Sequence, residues 1–300
     1  MFNNAPSQRS SSNPLLGIIM MTAAIGLFGG MSVMIKLIGP DYDPAQTIFF
    51  RNTVAAIIIF PFILRNGGTA SLSTTKPLMH ITRALFGVAG NILYFYAFAR
   101  IALADVVVVS QAVPLFVSLI AWAFLGEAVG WRRWSSILVG FTGVVIAVNP
   151  TGTIEMATIA AIFATVFWAI TMLLTRNMGK TESPYTIVFY YMLAGAIMTA
   201  MALPWVWKSM SPEIYILILA SGILGAFGQL LMTYALKLAE ASVVSPFNYT
   251  AIIWGIVFDL TIWNVAPSTE TITGAIIITG AGLYLVHREG IRNHVNTRKI

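Results

Sequence analysis

The chain contains no cysteine. A disulfide, a thiolate nucleophile and a cysteine-type metal site are therefore excluded. Charge is scarce as well. Only 9% of the 300 residues are charged, against about 25% in soluble domains. Histidine occurs at three positions, His80, His287 and His294. All three are placed at membrane edges or in the C-terminal tail, with no spacing that sets two of them on one metal. Long polar stretches are missing too, so no soluble domain fits between the apolar ones. No cofactor motif stands out. Met178-Gly179-Lys180-Thr181 ends like a phosphate-binding loop, but the first glycine of that motif would fall at Leu174.

Apolar residues fill the space instead, at 58% of the chain. A water-soluble fold of this composition would expose patches large enough to aggregate. Crossing a bilayer as a helix takes roughly 20 apolar residues. Stretches near that length are predicted at 15–38, 45–64, 78–99, 104–125, 133–148, 155–175, 184–204, 213–236, 241–263 and 270–287. The expected fold is an all-α polytopic membrane protein with ten transmembrane helices. Residues 1–14 and 288–300 are expected to be cytoplasmic tails. The N-terminal segment lacks the compact basic start of a signal peptide, so the first span is expected to be retained.

Basic residues set the orientation. With the N-terminus in the cytoplasm, Arg65, Lys76, Arg83, Arg132, Arg133, Arg176, Lys180 and Lys237 fall on the cytoplasmic side, along with those of both tails. Arg100 and Lys208 fall in outer loops. Lys36 and Arg51 lie near the outer ends of their helices. Basic residues concentrate on the cytoplasmic side of membrane proteins, so both termini are expected there, in a bacterial inner membrane. The net charge of +6 then reflects topology, and no nucleic-acid partner is implied.

The two halves of the chain resemble each other. GVAGNILYFYAF from Gly87 matches GAFGQLLMTYAL from Gly225. Gly87 pairs with Gly225, Gly90 with Gly228, and Asn91 with Gln229. ALADVVVVS from Ala102 answers AEASVVSPF from Ala239, and DPAQTIFFR from Asp43 answers SPYTIVFYY from Ser183. A unit with an odd number of spans must insert its second copy upside down. Two inverted repeats of five helices, 15–148 and 155–287, are therefore expected, with substrate bound between them.

These features resemble the drug/metabolite transporter superfamily, in its ten-helix branch with paired EamA-like domains. The resemblance is carried by FFRNTVAAIIIFPF, which holds Arg51, and by SQAVPLFVSLIAWAFLGEAVGWRRWSSILVGFTGVV, where Pro114, Gly126–Glu127, Trp131 and Gly143 fit the family pattern. The second copy departs from it, with Trp263–Asn264 standing where Gly–Glu is usual. The resemblance implies a proton-coupled or facilitative carrier of small organic metabolites. KPLMHITRALFG together with the fourth span is similar to carriers taking up S-adenosylmethionine, and similar segments occur in carriers of other solutes.

Polar side chains inside spans are the candidate site residues, because lipid offers them no partner. Asn91, Gln111, Gln229, Asn248 and Tyr249 are such residues, and Tyr94 and Trp168 add aromatic surface. An aromatic pocket with a few polar groups suits a small molecule. The competing reading is interhelical hydrogen bonding, worth about 0.6 kcal/mol on average in membranes. Two charges fall within spans, Arg51 and Asp259. Each costs roughly 2.5–3.5 kcal/mol at a helix centre. They lie at similar depth on the same side, so an ion pair between them is one expectation and a structural or solvated carboxylate at the outer rim the other, and Asp259 is the candidate for proton coupling. An intramembrane enzyme would need a nucleophile–base or metal constellation at depth, and a channel would need rings of like residues. Neither pattern is evident.

Overall fold

The computed structural model describes residues 13–65, 68, 72–125, 131–148, 155–179, 181–238 and 244–297. All regular structure among these residues is helical. The elements are α1 (Pro14–Ile38), α2 (Pro44–Arg65), α3 (Pro77–Phe98), α4 (Leu103–Ser110), α5 (Val113–Leu125), α6 (Trp131–Val148), α7 (Met156–Met178), α8 (Pro184–Ala200), the single turn α9 (Leu203–Val206), and α10 (Pro212–Leu238). A 3-10 turn, Ser245–Tyr249, leads into α11 (Thr250–Ile262), and α12 (Thr269–Thr297) ends the described chain. The Gly126–Glu127 pair, Lys180 and residues 1–12 lie outside the described residues.

Local chemistry sets these boundaries. Proline opens α1, α2, α3, α8 and α10, a position where its missing N–H is not needed and its fixed φ suits the helix. Asn13 caps α1 by accepting from the Leu16 amide at 3.1 Å, and Ser183 caps α8 by accepting from Thr186 at 3.2 Å. Such caps satisfy the orphan donors of a first turn. Gly39, at φ +77°, ends α1 in a conformation that side chains resist. Asn264 takes φ +52° after α11, which asparagine tolerates better than most residues.

The fourth predicted span, 104–125, is not one continuous helix. It breaks at Gln111 and Ala112, between α4 and α5. Pro114 cannot donate to the Ser110 carbonyl, and the chain turns there. Within the ninth predicted span, 241–263, a 3-10 turn at Ser245–Tyr249 precedes the α-helix. The predicted tail from 288 is helical as far as Thr297, as a continuation of α12.

Six of the described helical segments are long and apolar enough to cross a membrane, and others are shorter but apolar. Large apolar side chains face outward: Leu78 is 73% exposed and Ile276 68%. In water that surface would drive association; in a bilayer it faces lipid. The main contacts join α1 to α10, α3 to α7, α6 to α12 and α2 to α8. Small residues allow the close crossings. A Cβ on Gly274 of α12 would lie 2.6 Å from the Gly143 carbonyl oxygen and 2.8 Å from the Ala147 nitrogen. Both are backbone atoms of α6, which no rotamer change can move. Gly274→Ala is therefore expected to lower stability by about 1–3 kcal/mol, read as a fall in melting temperature of the purified protein in detergent.

Candidate functional site

The buried polar residues gather around Tyr191 of α8, which is 2% exposed. Its ring rests on α3 at Gly87, where any Cβ would overlap the ring. Its hydroxyl accepts from Asn91 Nδ2 at 2.9 Å. The Arg83 guanidinium lies over the ring, 4.2 Å from its centroid. Arg51 of α2 lies within electrostatic reach of the same tyrosine. Asn91 and Arg51, two of the residues predicted from sequence, are thus brought together, through a tyrosine that was not predicted.

Both arginines are buried, Arg51 at 4% and Arg83 at 3% exposure. Arg51 donates from Nε and Nη2 to Asn52 Oδ1, at 3.2 and 2.6 Å. Its Nη1 lies 3.3 Å from Met31 Sδ, and its guanidinium lies over the Phe95 ring, 5.2 Å from the centroid. Arg83 donates from Nε to Thr175 Oγ1 at 2.6 Å and from Nη1 to the Ile187 carbonyl at 3.2 Å. Thr175 sends its own proton to the Thr171 carbonyl, which leaves its oxygen free to accept. Arg83, counted from sequence with the basic residues of the cytoplasmic side, is a buried charge.

Tyr94 and Trp168 flank this group. Tyr94 is buried and pairs with Thr165 Oγ1 at 3.1 Å. Thr165 donates to the Ala161 carbonyl, so the tyrosine hydroxyl is the donor. Trp168 of α7 packs against the same apolar cluster as Tyr94. Gln229 of α10 is buried, with its Oε1 unpaired among the described residues.

Gln111, Asn248 and Tyr249 form a separate neighbourhood. Gln111 sits at the α4–α5 break, with Nε2 3.4 Å from both the Val107 carbonyl and Ser110 Oγ. Asn248 is half-buried in the 3-10 turn. Tyr249 shares an apolar cluster with Ala112 and α12 residues, and its ring lies against Gly282. Asp105 nearby accepts from Thr271 at 2.6 Å.

The expected Arg51–Asp259 pair does not form. Asp259, 1% exposed, pairs through Oδ1 with Lys36 of α1 at 3.1 Å. Its Oδ2 accepts from the Ala104 amide at 2.7 Å, at the first turn of α4, where the exposed N–H groups favour an anion. Lys36 also lies over Trp263, 4.5 Å from the ring centroid. Similar depth was a poor guide because Arg51 meets Met31, Asn52 and Phe95, whereas Asp259 meets Lys36, nearer the end of α1, and the first turn of α4. At the other end of the bundle His80, expected at the membrane edge, is buried and contacts Glu182, which also accepts from Thr74. Among the described residues no group of three His, Cys, Asp or Glu side chains could hold a metal.

An all-helical membrane protein with polar side chains joined inside its bundle defines the class. The family is narrower. The sequence model of the EamA-like transporter family matches residues 15–149 and 155–287. The chain belongs to that family, within the drug/metabolite transporter superfamily. It is 28% identical over 261 residues to an S-adenosylmethionine uptake transporter of Rickettsia bellii, covering 86% of this chain and 88% of that one. It is 26% identical over 275 residues to the pseudopaline exporter CntI of Pseudomonas aeruginosa, covering 90% and 95%. A riboflavin transporter of Brucella anthropi is 26% identical over 284 residues, covering 90% and 98%. A solved crystal structure aligns with a TM-score of 0.64 at 19% identity, covering 91% of this chain and 98% of that one. The likeness to it is one of fold.

Proposed function

We propose that the protein is a secondary carrier of small organic metabolites, amino-acid-like or nucleoside-like, working by alternating access between two inverted five-helix repeats, 15–148 and 155–287. In this reading ten spans put both termini on one side, and the bias of basic residues makes that side the cytoplasm of a bacterial cell, with the protein in its inner membrane. The observation that carries this reading is a reciprocal contact at the bundle centre. In the sequence match, Arg51 corresponds to Tyr191 and Gly87 to Gly225. Tyr191 rests on Gly87, and a Cβ on Gly225 would lie 3.7 Å from Arg51 Nη1. Exchanging the halves exchanges the two contacts. The helix packing supports the same symmetry. The α1–α10 contact corresponds to α3–α7, and α2–α10 to α3–α8. Gln111 at the α4–α5 break corresponds to Asn248 in the 3-10 turn. Broken helices at a repeat interface are where carriers of this type bind solute.

The binding site in this reading draws on both neighbourhoods, Asn91, Tyr94, Trp168 and Gln229 from one and Gln111, Asn248 and Tyr249 at the broken helices from the other. The names of the relatives make S-adenosylmethionine and riboflavin the first solutes to try, and include both uptake and export. Proton coupling, with Asp259 as the titrating group, belongs to the same proposal. Uptake of radiolabelled S-adenosylmethionine and riboflavin into proteoliposomes, with and without a pH gradient, is the direct test. Saturable, protein-dependent uptake of a solute supports a carrier. Linear flux without saturation favours a channel. The cysteine-free chain makes topology accessible as well. In right-side-out cells an impermeant thiol reagent should label Ser209→Cys and spare Thr75→Cys; the reverse pattern inverts the orientation.

A further inference from the structure

We infer that the solute carried at this centre bears an acidic group, and that Arg51 and Arg83 hold it beside Tyr191. The inference rests on the carrier reading and narrows it to a class of substrate.

Two cations converge on one buried tyrosine. Arg83 covers the Tyr191 ring at 4.2 Å, and Arg51 lies within electrostatic reach of the same tyrosine. Everything else the structure gives them is neutral: the Asn52 amide, the Thr175 hydroxyl, the Ile187 carbonyl, the Met31 thioether and the Phe95 ring. Buried charges are ordinarily paired, because burial without a counter-charge is costly. The internal carboxylates are engaged elsewhere. Asp259 holds Lys36, Glu182 meets His80 and Thr74, and Asp105 accepts from Thr271. Among the described residues neither arginine has a carboxylate within ion-pair distance.

Arginine is also the side chain whose planar fork fits a carboxylate or phosphoryl group with two parallel hydrogen bonds. Its position is specific. Asn91 donates to the same tyrosine oxygen, so a solute reaching Tyr191 meets an amide, a hydroxyl and two guanidiniums together. Gly87 and Gly225 keep the two helix surfaces beside Tyr191 and Arg51 free of side chains. An acid on the solute would provide the negative charge that the protein does not.

The test uses purified full-length protein in detergent, with Arg51→Gln, Arg83→Gln and the surface variant Arg100→Gln as control. The probes are matched pairs. S-adenosylmethionine is set against its decarboxylated form, and riboflavin 5′-phosphate against riboflavin. Affinity is read from ligand-dependent melting shifts. The wild type should bind the acidic member of one pair more tightly. The carboxylate pair and the phosphate pair tell the two acids apart. Each arginine variant should lose about ten- to a hundredfold in affinity for that probe, the loss expected of one charge-assisted hydrogen bond, while Arg100→Gln binds normally. Equal binding of the acidic and neutral members, or unchanged affinity in both variants, would overturn the inference.

A ligand-free measurement decides the case in which no probe binds. If the arginines await a solute, neutral replacements should leave the melting temperature unchanged or raise it. A fall of more than about 5 °C in both variants marks them as structural and overturns the inference. Failure of the carrier reading is separate, since it shows as absence of uptake of every solute by wild-type proteoliposomes.

Discussion

Asp259→Ala is expected to lower stability by about 3–5 kcal/mol, the range for breaking a buried ion pair by removing one partner. Both carboxylate oxygens are engaged, one with Lys36 at 3.1 Å and one with the Ala104 amide at 2.7 Å. Without Asp259, the Lys36 ammonium keeps the Trp263 ring beside it but loses its ion-pair partner, and the first turn of α4 loses its acceptor. Lys36→Met should be costly for the converse reason, because it strands an anion at a site that is 1% exposed. The double variant Lys36→Met/Asp259→Leu should recover most of the loss, since a well-packed apolar pair often matches a buried ion pair. Melting curves of the four proteins form a double-mutant cycle. If Asp259→Ala melts within about 1 °C of wild type, which is well under 1 kcal/mol for a chain of this size, the pair contributes nothing and this account of it fails. Asp259→Asn keeps the shape and addresses coupling. On the proton-coupling proposal it abolishes accumulation driven by a pH gradient and spares exchange down the solute's own gradient. Accumulation that persists removes Asp259 as the coupling group.

The membrane class and the family were legible because both rest on composition, periodicity and short local motifs. Glycines at repeated spacing and amides in apolar stretches also stood out, and Asn91 does take part in the central hydrogen bonding. Partner choice was not legible. Depth along a helix can be counted from its ends, but the face a residue presents, and to which neighbour, depends on packing between distant segments. Arg51 and Asp259 count to a similar depth and yet take different partners, Asn52 and Met31 for one and Lys36 and the Ala104 amide for the other. Lys36 read as an interfacial lysine because it stands two residues from the end of α1, and Arg83 read as one more basic residue of the cytoplasmic side. Tyr191 was hidden in an aromatic run, FYY, that looks like an ordinary interfacial belt. One signal pointed to it: the match of DPAQTIFFR with SPYTIVFYY sets Tyr191 opposite Arg51, the one charge the sequence placed inside the first half.

Releasing each of the two end-to-end ties should shift access in opposite directions. Lys36–Asp259 joins α1 to α11 at one end of the bundle, and His80–Glu182 joins α3 to the segment before α8 at the other. Each connects the first half of the chain to the second. Helix directions in the ten-span proposal put the first tie outside and the second inside. With both made, the two halves of the chain are tied at both ends. Alternating access requires that one tie open while the other holds, so the ties contribute directly to the free-energy gap between states. A tie worth about 1.4 kcal/mol changes the ratio of the two states tenfold. Gln229→Cys in the cysteine-free chain provides a buried reporter. Adding Lys36→Met/Asp259→Asn should raise its labelling rate from the outside about tenfold with an impermeant reagent. Adding Glu182→Gln should instead raise labelling in inside-out vesicles and slow it from the outside, because a state open inward is closed outward. Faster labelling from both sides in either variant would mean general loosening of the bundle, and equal rates throughout would mean that neither tie is a gate.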